Sequence, residues 1–241
     1  MNQDRLRVSV VIPTRNEALA IGRVLSDLPS HLVTEVLVVD SNSTDGTPEI
    51  AAKLGARVIR EFRRGYGRAC LTGLANADAP DVIVFLDGDY SDRPAELPEL
   101  LAPIADGRAD ITLGSRLAGR RIRGALPWHS VMGNSLAAGL ISLLYGVRIS
   151  DLGPFRAARA AVARDLALQE TTYGWAVEMI LKGSLRGFRI VEVPVSYYPR
   201  IGKSKISGTV RGTLGAAWFI FSLIVRYYFR RKGQGQRENP A

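Results

Sequence analysis

An apolar run that ends in a cluster of carboxylates most constrains how this chain can fold. Residues 82–86 are wholly apolar and mostly β-branched or aromatic, and residues 87–92 then contain three aspartates. Such a run is typical of a buried strand that ends at a charged loop. Open α/β sheets bind their ligands at the carboxyl ends of their strands, so this loop is a candidate binding site.

The spacing of the aspartates predicts a metal site. Asp87 and Asp89 are two residues apart and would share one face of a strand, while Gly88 lets the backbone bend and a ligand approach. Oxygen ligands favour Mg²⁺ or Mn²⁺, and Mg²⁺ usually reaches its substrate through phosphate oxygens. We therefore predict that Asp87 and Asp89 bind a metal and a diphosphate; the alternative is a solvated acidic turn.

Strands and helices alternate ahead of this cluster. Short β-rich runs cover residues 8–12, 35–39 and 57–59, and residues with helical spacing or helix-starting signals follow each of them. With residues 82–86 as a fourth strand, this alternation predicts an α/β fold with a mostly parallel sheet flanked by helices. A length of 241 residues suits a single catalytic domain of this kind.

Three polar motifs follow the earlier strands at the same predicted edge of the sheet. They cover residues 13–17, 40–46 and 63–69. In the second motif, we expect Asp40 to bind a nucleobase or ribose, whereas Asp45 caps the next helix. The third motif combines glycines and three arginines before a helix, which suits a diphosphate bound by backbone and guanidinium groups.

The positive charge is concentrated in two regions. Of a net charge of +9, residues 111–150 contribute five arginines and no acid, and residues 200–232 contribute eight Lys or Arg and no acid. No DNA- or RNA-binding motif occurs, and the aromatic residues do not interleave with the basic ones as a base-stacking platform requires. Nucleic acid is therefore not expected, and anionic lipid or phosphate is the predicted partner.

The composition favours a cytoplasmic protein. No run approaches the roughly 18 to 20 uncharged apolar residues of a membrane span, and residues 1–7 contain no signal-peptide core. The lone Cys70 excludes an intramolecular disulfide and fits a reducing compartment. We expect Cys70 to pack in the core.

The C-terminal segment predicts an amphipathic helix. Residues 212–225 carry no charge, and aromatic residues then lead into the basic cluster 230–232. As a helix these 14 residues measure about 21 Å, short of the roughly 30 Å hydrocarbon core. A catalytic domain over 1–207 is thus followed by a helix over 208–232 that lies on a membrane surface, packs on the domain or joins a homo-oligomer. We expect residues 233–241 to be a disordered tail.

Nine motifs together carry a family resemblance. PTRNE (13–17), DSNSTDG (40–46), RGYGRA (64–69) and DGDYSD (87–92) resemble, in order and spacing, a family 2 glycosyltransferase with the GT-A fold. The second half is similar to the dolichol-phosphate mannose synthase branch of that family. Its motifs are GSR (114–116), DLGPFR (151–156), YGWAVE (173–178), EVPV (192–195) and RIGKSK (200–205).

The resemblance implies roles for individual residues of the donor site. In that family Asp87 would lie near the ribose and the metal, and Asp89 would bind the cation that bridges the diphosphate. Arg15 stands where these synthases usually have a tyrosine. The nucleotide-binding residues implied are Pro13, Arg15, Glu17, Asp40, Arg68, Asp87 and Gly88.

The implied reaction is an inverting, metal-dependent transfer of a hexose from GDP-mannose or UDP-glucose to a polyprenyl phosphate. The metal neutralises charge on the departing nucleoside diphosphate. The acceptor phosphate is already an anion, so it needs positioning and not deprotonation. For this positioning the resemblance implies Arg116, Arg156, Arg200 and Lys205, at the inner face of a membrane. A separate membrane-protein partner is a further hypothesis.

Two alternatives remain open. Many family 2 enzymes that glycosylate a hydroxyl have a catalytic base at the end of a later strand, and Asp151 follows residues 147–150 in that way. Asp151 is expected to be structural if the acceptor is a phosphate and to be the base if it is a hydroxyl; the same question applies to Glu178, on a helix predicted over 175–185. The other alternative is a non-catalytic nucleotide-sugar-binding or adaptor protein, which the Asp87 and Asp89 pair disfavours.

Overall fold

Seven strands form one sheet in the computed structural model, which describes residues 6–122, 124–202 and 218–229. The strands are β1 Val8–Thr14, β2 Glu35–Asp40, β3 Arg57–Arg60, β4 Val82–Phe85, β5 Ile111–Ser115, β6 Arg156–Arg159 and β7 Ile190–Pro194. Their order across the sheet is β3-β2-β1-β4-β6-β5-β7. β6 is antiparallel to both of its neighbours, and the other pairs are parallel. The predicted mostly parallel sheet is therefore confirmed.

Helices flank this sheet on both sides. They are α1 Ala18–Ser26, α2 Thr47–Lys53, α3 Tyr66–Asn76, α4 Leu97–Ala105, α5 Trp128–Tyr145, α6 Ala160–Asp165, α7 Trp175–Leu185 and α8 over residues 218–229. A 3-10 turn, Pro94–Glu96, leads into α4. Lys205, the basic cluster over 230–232 and the predicted tail over 233–241 lie outside the described residues.

The central strand β4 explains why both faces of the sheet are covered. All four of its side chains are buried, and they alternate between two apolar clusters. Ile83 and Phe85 face α3 and α7, and the ring of Phe85 meets that of Trp175 edge to face at 4.5 Å. Val82 and Val84 face α1 and α4. A strand that is buried on both faces reads as a continuous apolar run, which is the pattern found in the sequence.

The turn after β4 lies against the end of β1. The Leu86 N–H donates to the Val11 carbonyl at 3.1 Å, so the chain stays beside β1 as it leaves the sheet. A Cβ added at Gly88 would lie 2.9 Å from Cγ2 of Thr14. Gly88 does not adopt a positive φ. A glycine is therefore needed here for close packing on β1, and the chain turns over residues 88–89 without a left-handed φ at Gly88.

Helix α5 has one buried and one exposed apolar face. The buried face contains Ala137, Ala138, Ile141 and Tyr145 and packs mainly against α7. The exposed face contains Trp128, Met132, Leu136 and Leu143, whose exposed fractions are 76%, 52%, 58% and 80%. No Asp, Glu, Lys or Arg occurs in this helix. Helix α5 therefore packs on the domain through one face only.

Helix α8 packs on the domain and keeps an aromatic residue in contact with solvent. The Tyr145 hydroxyl donates to the Ile224 carbonyl at 2.6 Å, and the Tyr227 hydroxyl donates to Oε1 of Glu178 at 2.8 Å. Trp218 is nevertheless 78% exposed. Among the helices of the described ranges, none is long and apolar enough to cross a bilayer.

Candidate active site

A cavity of about 280 Å³ opens at the carboxyl edge of the sheet, beside the ends of β1, β2 and β4. Seven of the predicted site residues line it: Pro13, Arg15, Glu17, Asp87, Gly88, Asp89 and Arg200. Five others that the structure describes do not line it: Asp40, Arg68, Arg116, Asp151 and Arg156. The structure therefore brings residues of the motifs at 13–17, 40–46 and 64–69, together with Arg200, to the acidic loop after β4.

Asp89 is held firmly by its own loop and by one arginine. Its Oδ1 accepts hydrogen bonds from the Ser91 N–H at 2.9 Å and from the Ser91 hydroxyl at 2.6 Å. Its Oδ2 lies 2.9 Å from Nη2 of Arg200, which also lies 3.5 Å from Oε1 of Glu17. The carboxylate of Asp89 is thus fixed in orientation at the wall of the cavity.

The carboxylate of Asp87 has fewer stabilising contacts than that of Asp89. Its Oδ1 is buried and accepts no hydrogen bond from any residue in the described ranges. Burial, together with the neighbouring Asp89 carboxylate, raises the pKa of Asp87 to about 7. Asp89 is buried and Asp87 is partly buried; their two carboxylates repel each other without a cation between them, and a bound cation removes that cost.

These two carboxylates fit a hard divalent cation. Both donors are oxygens, which Mg²⁺ and Mn²⁺ prefer, and the unpartnered Oδ1 of Asp87 provides a free ligand atom. The described residues contain no cluster of three or more acidic, His or Cys side chains suited to a metal. Asp87 and Asp89 would hold such an ion with few protein ligands, which leaves coordination positions for phosphate oxygens.

Asp40 points into its own loop and not into the cavity. Ser43 donates to both oxygens of Asp40, through its N–H at 3.0 Å and through its hydroxyl. Ser41, the next residue after the strand, lines the cavity instead. Asp45 accepts from the Thr47 N–H at 3.1 Å, but the N-cap residue of α2 is Gly46, so Asp45 binds the first turn from one residue before the cap position. The contact between Asp40 and the nucleotide stays a prediction.

The arginine motif before α3 contributes a different side chain from the one predicted. Arg64 is exposed and lines the cavity, whereas Arg68 does not line it and has a buried Nε without a hydrogen-bond partner among the described residues. Tyr66 also lines the cavity. The motif itself was visible in the sequence, but the side chain that faces the ligand depends on where α3 begins.

Asp151 forms a buried ion pair with Arg116. Oδ2 accepts from Nε of Arg116 at 2.7 Å and Oδ1 from Nη2 at 2.8 Å, and the Arg116 N–H adds a third bond at 2.9 Å. Asn134 of α5 donates to Oδ1 at 3.2 Å. Burial works in the opposite direction, but the hydrogen bonds and charge of Arg116 lower the pKa of Asp151. A carboxylate so engaged is a poor proton acceptor.

The surroundings of Asp151 also differ from the expectation. Residues 147–150 pair with no strand of the described sheet, so Asp151 lies in the loop before β6 and not at the end of a strand. Glu192 of β7 holds this loop by accepting from the N–H groups of Ser150 and Asp151 at 2.7 and 2.9 Å. These contacts fit the structural alternative for Asp151, whose carboxylate orients the Arg116 guanidinium.

Arg156 is enclosed in the core. Its guanidinium donates to the Ala176 carbonyl at 2.7 Å and to the Gly153 carbonyl, and it lies 5.9 Å from the ring of Trp175. Its side chain is fully buried, and burial lowers its pKa. Arg156 therefore ties the loop before β6 to the first turn of α7. Its predicted contact with the acceptor phosphate stays a prediction.

Glu178 is a structural junction. Its Oε2 accepts from the N–H groups of Gln169 and Glu170 at 2.8 Å each, and its Oε1 contacts Lys182 and Tyr227, also at 2.8 Å. Glu178 thus joins α7, α8 and the loop before α7. These contacts occupy both carboxylate oxygens, so the burial of Glu178 is explained by a structural role and needs no catalytic one.

Asp92, the third aspartate of the acidic cluster, is buried, and no role was predicted for it from the sequence. Asp92 is 1% exposed, and neither of its oxygens accepts a hydrogen bond from a described residue. Burial and the charge of Asp87 raise the pKa of Asp92. Its backbone forms a bridge with Tyr197, so that the acidic loop is attached to the segment after β7.

The fold and the acidic cavity define a GT-A glycosyltransferase. The solved structure of glucosyl-3-phosphoglycerate synthase from Mycobacterium tuberculosis, crystallised with Mn²⁺, UDP-glucose and phosphoglyceric acid, matches the chain with a TM-score of 0.74. That match covers 93% of this chain and 80% of the synthase at 22% identity, so it speaks to the fold alone.

The chain belongs to glycosyl transferase family 2, whose family model matches residues 9–170. It is 36% identical over 209 residues to an uncharacterised glycosyltransferase of Mycobacterium tuberculosis, covering 86% of this chain and 93% of that protein. It is 37% identical over 204 residues to the dolichyl-phosphate hexose transferase of Haloferax volcanii, covering 83% and 86%. It is 32% identical over 228 residues to the undecaprenyl-phosphate mannosyltransferase of Micrococcus luteus, covering 86% and 90%. The predicted family and branch are confirmed.

Replacing Asp87 should stabilise the chain in a pH-dependent way when divalent cations are chelated. The folded-state pKa of about 7 lies above the ordinary value of 3.8, so the folded chain retains a proton that the unfolded chain has lost. The contribution of Asp87 to stability therefore falls as pH rises between these two values. We expect the free energy of unfolding of Asp87→Asn, relative to that of wild type, to rise by about 2 kcal/mol as the pH increases from about 5 to about 8. Denaturant unfolding in EDTA measures this difference. The exposed Asp106→Asn is the control, and a gain that does not change with pH would contradict the prediction.

Breaking the buried ion pair should cost stability. Asp151→Asn leaves the Arg116 cation without its partner, and we expect the free energy of unfolding to fall by about 3 to 5 kcal/mol. Asp106→Asn, which removes an exposed pair with Arg108, should change it by less than about 1 kcal/mol. Denaturant unfolding of both variants measures the difference. A loss for Asp151→Asn as small as that of the control would mean that the pair contributes little.

Proposed function

We propose that this family 2 glycosyltransferase transfers one hexose from a nucleotide sugar to a polyprenyl phosphate, with a divalent cation and with inversion at the anomeric carbon. The observation that carries the proposal is the meeting of Asp87, Asp89 and Arg200 in one cavity. Carboxylates for a metal and a guanidinium for a phosphate are the groups that such a transfer needs.

The donor is a nucleoside diphosphate hexose, GDP-mannose or UDP-glucose. Residues from the ends of β1 and β4 surround the cavity, where the implied nucleotide-binding positions Pro13, Arg15 and Glu17 lie. The solved neighbour that contains Mn²⁺ and UDP-glucose supports a metal-bound donor of this class. When bound, the Mg²⁺ or Mn²⁺ ion supplies positive charge that offsets the charge developing on the leaving diphosphate.

The acceptor is a phosphate and not a hydroxyl. Three arginines, Arg15, Arg64 and Arg200, line the cavity and favour an anion there. Asp151, the candidate base for a hydroxyl acceptor, is buried and bound to Arg116 through both oxygens. An anionic phosphate attacks without losing a proton, so the site needs cations that position it. The names of the Haloferax and Micrococcus relatives support a polyprenyl phosphate.

The exposed apolar face of α5 attaches the enzyme to the cytoplasmic, inner surface of an anionic membrane. Four large apolar side chains on one helix face are an unusual exposure for a protein surface without a partner. Exposed arginines flank the helix: Arg120 and Arg121 precede it and Arg148 follows it. An apolar face with basic ends and a Trp at its start matches the interface between acyl chains and anionic headgroups.

A product assay tests the proposed reaction. The whole chain is mixed with vesicles that contain polyprenyl phosphate, and with labelled GDP-mannose or UDP-glucose in the presence of Mg²⁺ or Mn²⁺. We expect label in the organic phase with one of these donors, lost on chelation and reduced about a thousandfold in Asp89→Ala, since a bound metal contributes several kcal/mol to the transition state. Asp106→Ala, at an exposed site far from the cavity, should keep the wild-type rate.

The outcomes of that assay separate the alternatives. Donor turnover without label in lipid would overturn the phosphate acceptor and favour a soluble hydroxyl acceptor. Metal-independent transfer would overturn the role of Asp87 and Asp89. Full activity of the isolated chain on vesicles would argue against a required membrane-protein partner, whereas activity only after adding a membrane extract would favour one.

The membrane contact is tested by cosedimentation with vesicles. We expect Trp128→Ser combined with Leu143→Ser to weaken binding to anionic vesicles by about tenfold or more, since each side chain loses apolar burial worth about 1.5 kcal/mol or more. Leu54→Ser combined with Phe62→Ser removes comparable exposed residues elsewhere and should bind like wild type. Equal binding of both double variants would show that α5 does not contact the bilayer.

A further inference from the structure

Both oxygens of Asp89 are engaged, but by groups of different kinds. Oδ1 is bound by the N–H and hydroxyl of Ser91, two residues along the same loop. Oδ2 is bound by Nη2 of Arg200, which comes from the segment after β7. An additional cation can reach Asp89 most easily at Oδ2, because the bonds of Oδ1 are built into the loop itself.

The side chain of Arg200 can leave Asp89 while its backbone stays in place. The Tyr198 N–H donates to the Ser91 carbonyl and the Ile201 N–H donates to the Asp89 carbonyl, each at 2.9 Å. These two bonds attach the segment around Arg200 to the acidic loop without using the guanidinium. The Arg200 side chain is 30% exposed, and its Nε has no hydrogen-bond partner among the described residues. The Arg200 side chain can therefore rotate, and its guanidinium N–H groups can donate hydrogen bonds to a ligand.

The other two arginines that were predicted to position the acceptor phosphate, Arg116 and Arg156, lack this freedom. Arg116 is held by three bonds to Asp151, and Arg156 is enclosed by backbone carbonyls. Among these three arginines, Arg200 alone pairs with a carboxylate that is also a predicted metal ligand. A guanidinium and a divalent cation that approach the same buried oxygen repel each other strongly.

We propose that Arg200 and the divalent cation compete for Asp89, and that metal binding thereby transfers the Arg200 guanidinium from Asp89 to a phosphate group. The inference rests on the proposed metal site. In this scheme Arg200 acts as a positioning residue that keeps the acidic loop neutralised until the metal arrives. The phosphate that receives it is either the diphosphate of the donor or the phosphate of the acceptor, since a guanidinium binds both in the same way.

The competition is measured by titrating Mn²⁺ into the whole chain without nucleotide, with calorimetry or the Mn²⁺ electron paramagnetic resonance signal as the readout. We expect Arg200→Gln to bind Mn²⁺ about fivefold more tightly than wild type, the scale of a partly exposed ion pair. Arg15→Gln is the matched control, because it removes the same charge from the same cavity without touching Asp89. Its affinity should change less than about twofold.

The result that overturns the competition is an equal shift for both variants, which would reflect the general field of the cavity. A chain that binds no Mn²⁺ in any variant, with or without UDP or GDP, would overturn the proposed metal-dependent function as well. Failure of the competition leaves Mn²⁺ binding by wild type intact, whereas failure of the metal-dependent function abolishes it, so the two outcomes are distinguishable. Arg200→Lys keeps the charge and should bind Mn²⁺ like wild type.

The destination of the guanidinium is tested with Mn²⁺ at saturation. Loss of about tenfold in UDP or GDP affinity in Arg200→Gln, with partial recovery in Arg200→Lys, would identify the donor diphosphate as the new partner. Unchanged nucleotide affinity with a raised apparent KM for polyprenyl phosphate would identify the acceptor phosphate. If neither quantity changes, Arg200 does not bind a phosphate and the transfer is overturned.

Discussion

The structure depends on a pair of carboxylates placed where carboxylates are costly. Asp87 and Asp89 follow a strand that is buried along its whole length, and water is excluded from one oxygen of Asp87 without any hydrogen bond from the described chain to replace it. Charges in such a position repel each other and lower stability unless a cation lies between them. The fold accepts this cost at the edge of the sheet, where β1, β4 and the segment after β7 bring ligand-binding groups together.

The cationic residues around this centre differ in what they can do, and their partners explain the difference. Arg116 neutralises Asp151 and is buried with it, while Arg156 donates to two backbone carbonyls and supports α7. Such residues fix the geometry of the loop before β6. Arg200 is partly exposed and shares its carboxylate with the proposed metal site, so it remains available to a ligand. The family resemblance implies that all three arginines position the acceptor phosphate. Their burial distinguishes the two that support the structure from the one that is available to a ligand.

Much of the architecture was predictable because it follows from local patterns. Apolar runs gave the first four strands, and the rule that ligands bind at carboxyl edges gave the cavity with Glu17 and Asp89 in it. The errors concern side-chain direction. Asp151 is bound by an arginine 35 residues away, and the choice of Arg64 over Arg68 depends on where α3 begins. Long-range partners of this kind leave no periodic signal in the chain.

Helix α5 connects the proposed membrane surface to the buried pair of Arg116 and Asp151. Its outer face carries the exposed apolar residues, and Asn134 on the same helix donates to Asp151 and so reaches the Arg116 ion pair. A helix is rigid along its length, so seating its outer face in a bilayer fixes the distance from the headgroups to the loop before β6. A polyprenyl phosphate carries its phosphate at that headgroup level. In the proposed function, docking through a helix and not through a flexible loop orients the domain relative to the acceptor without a separate recognition step.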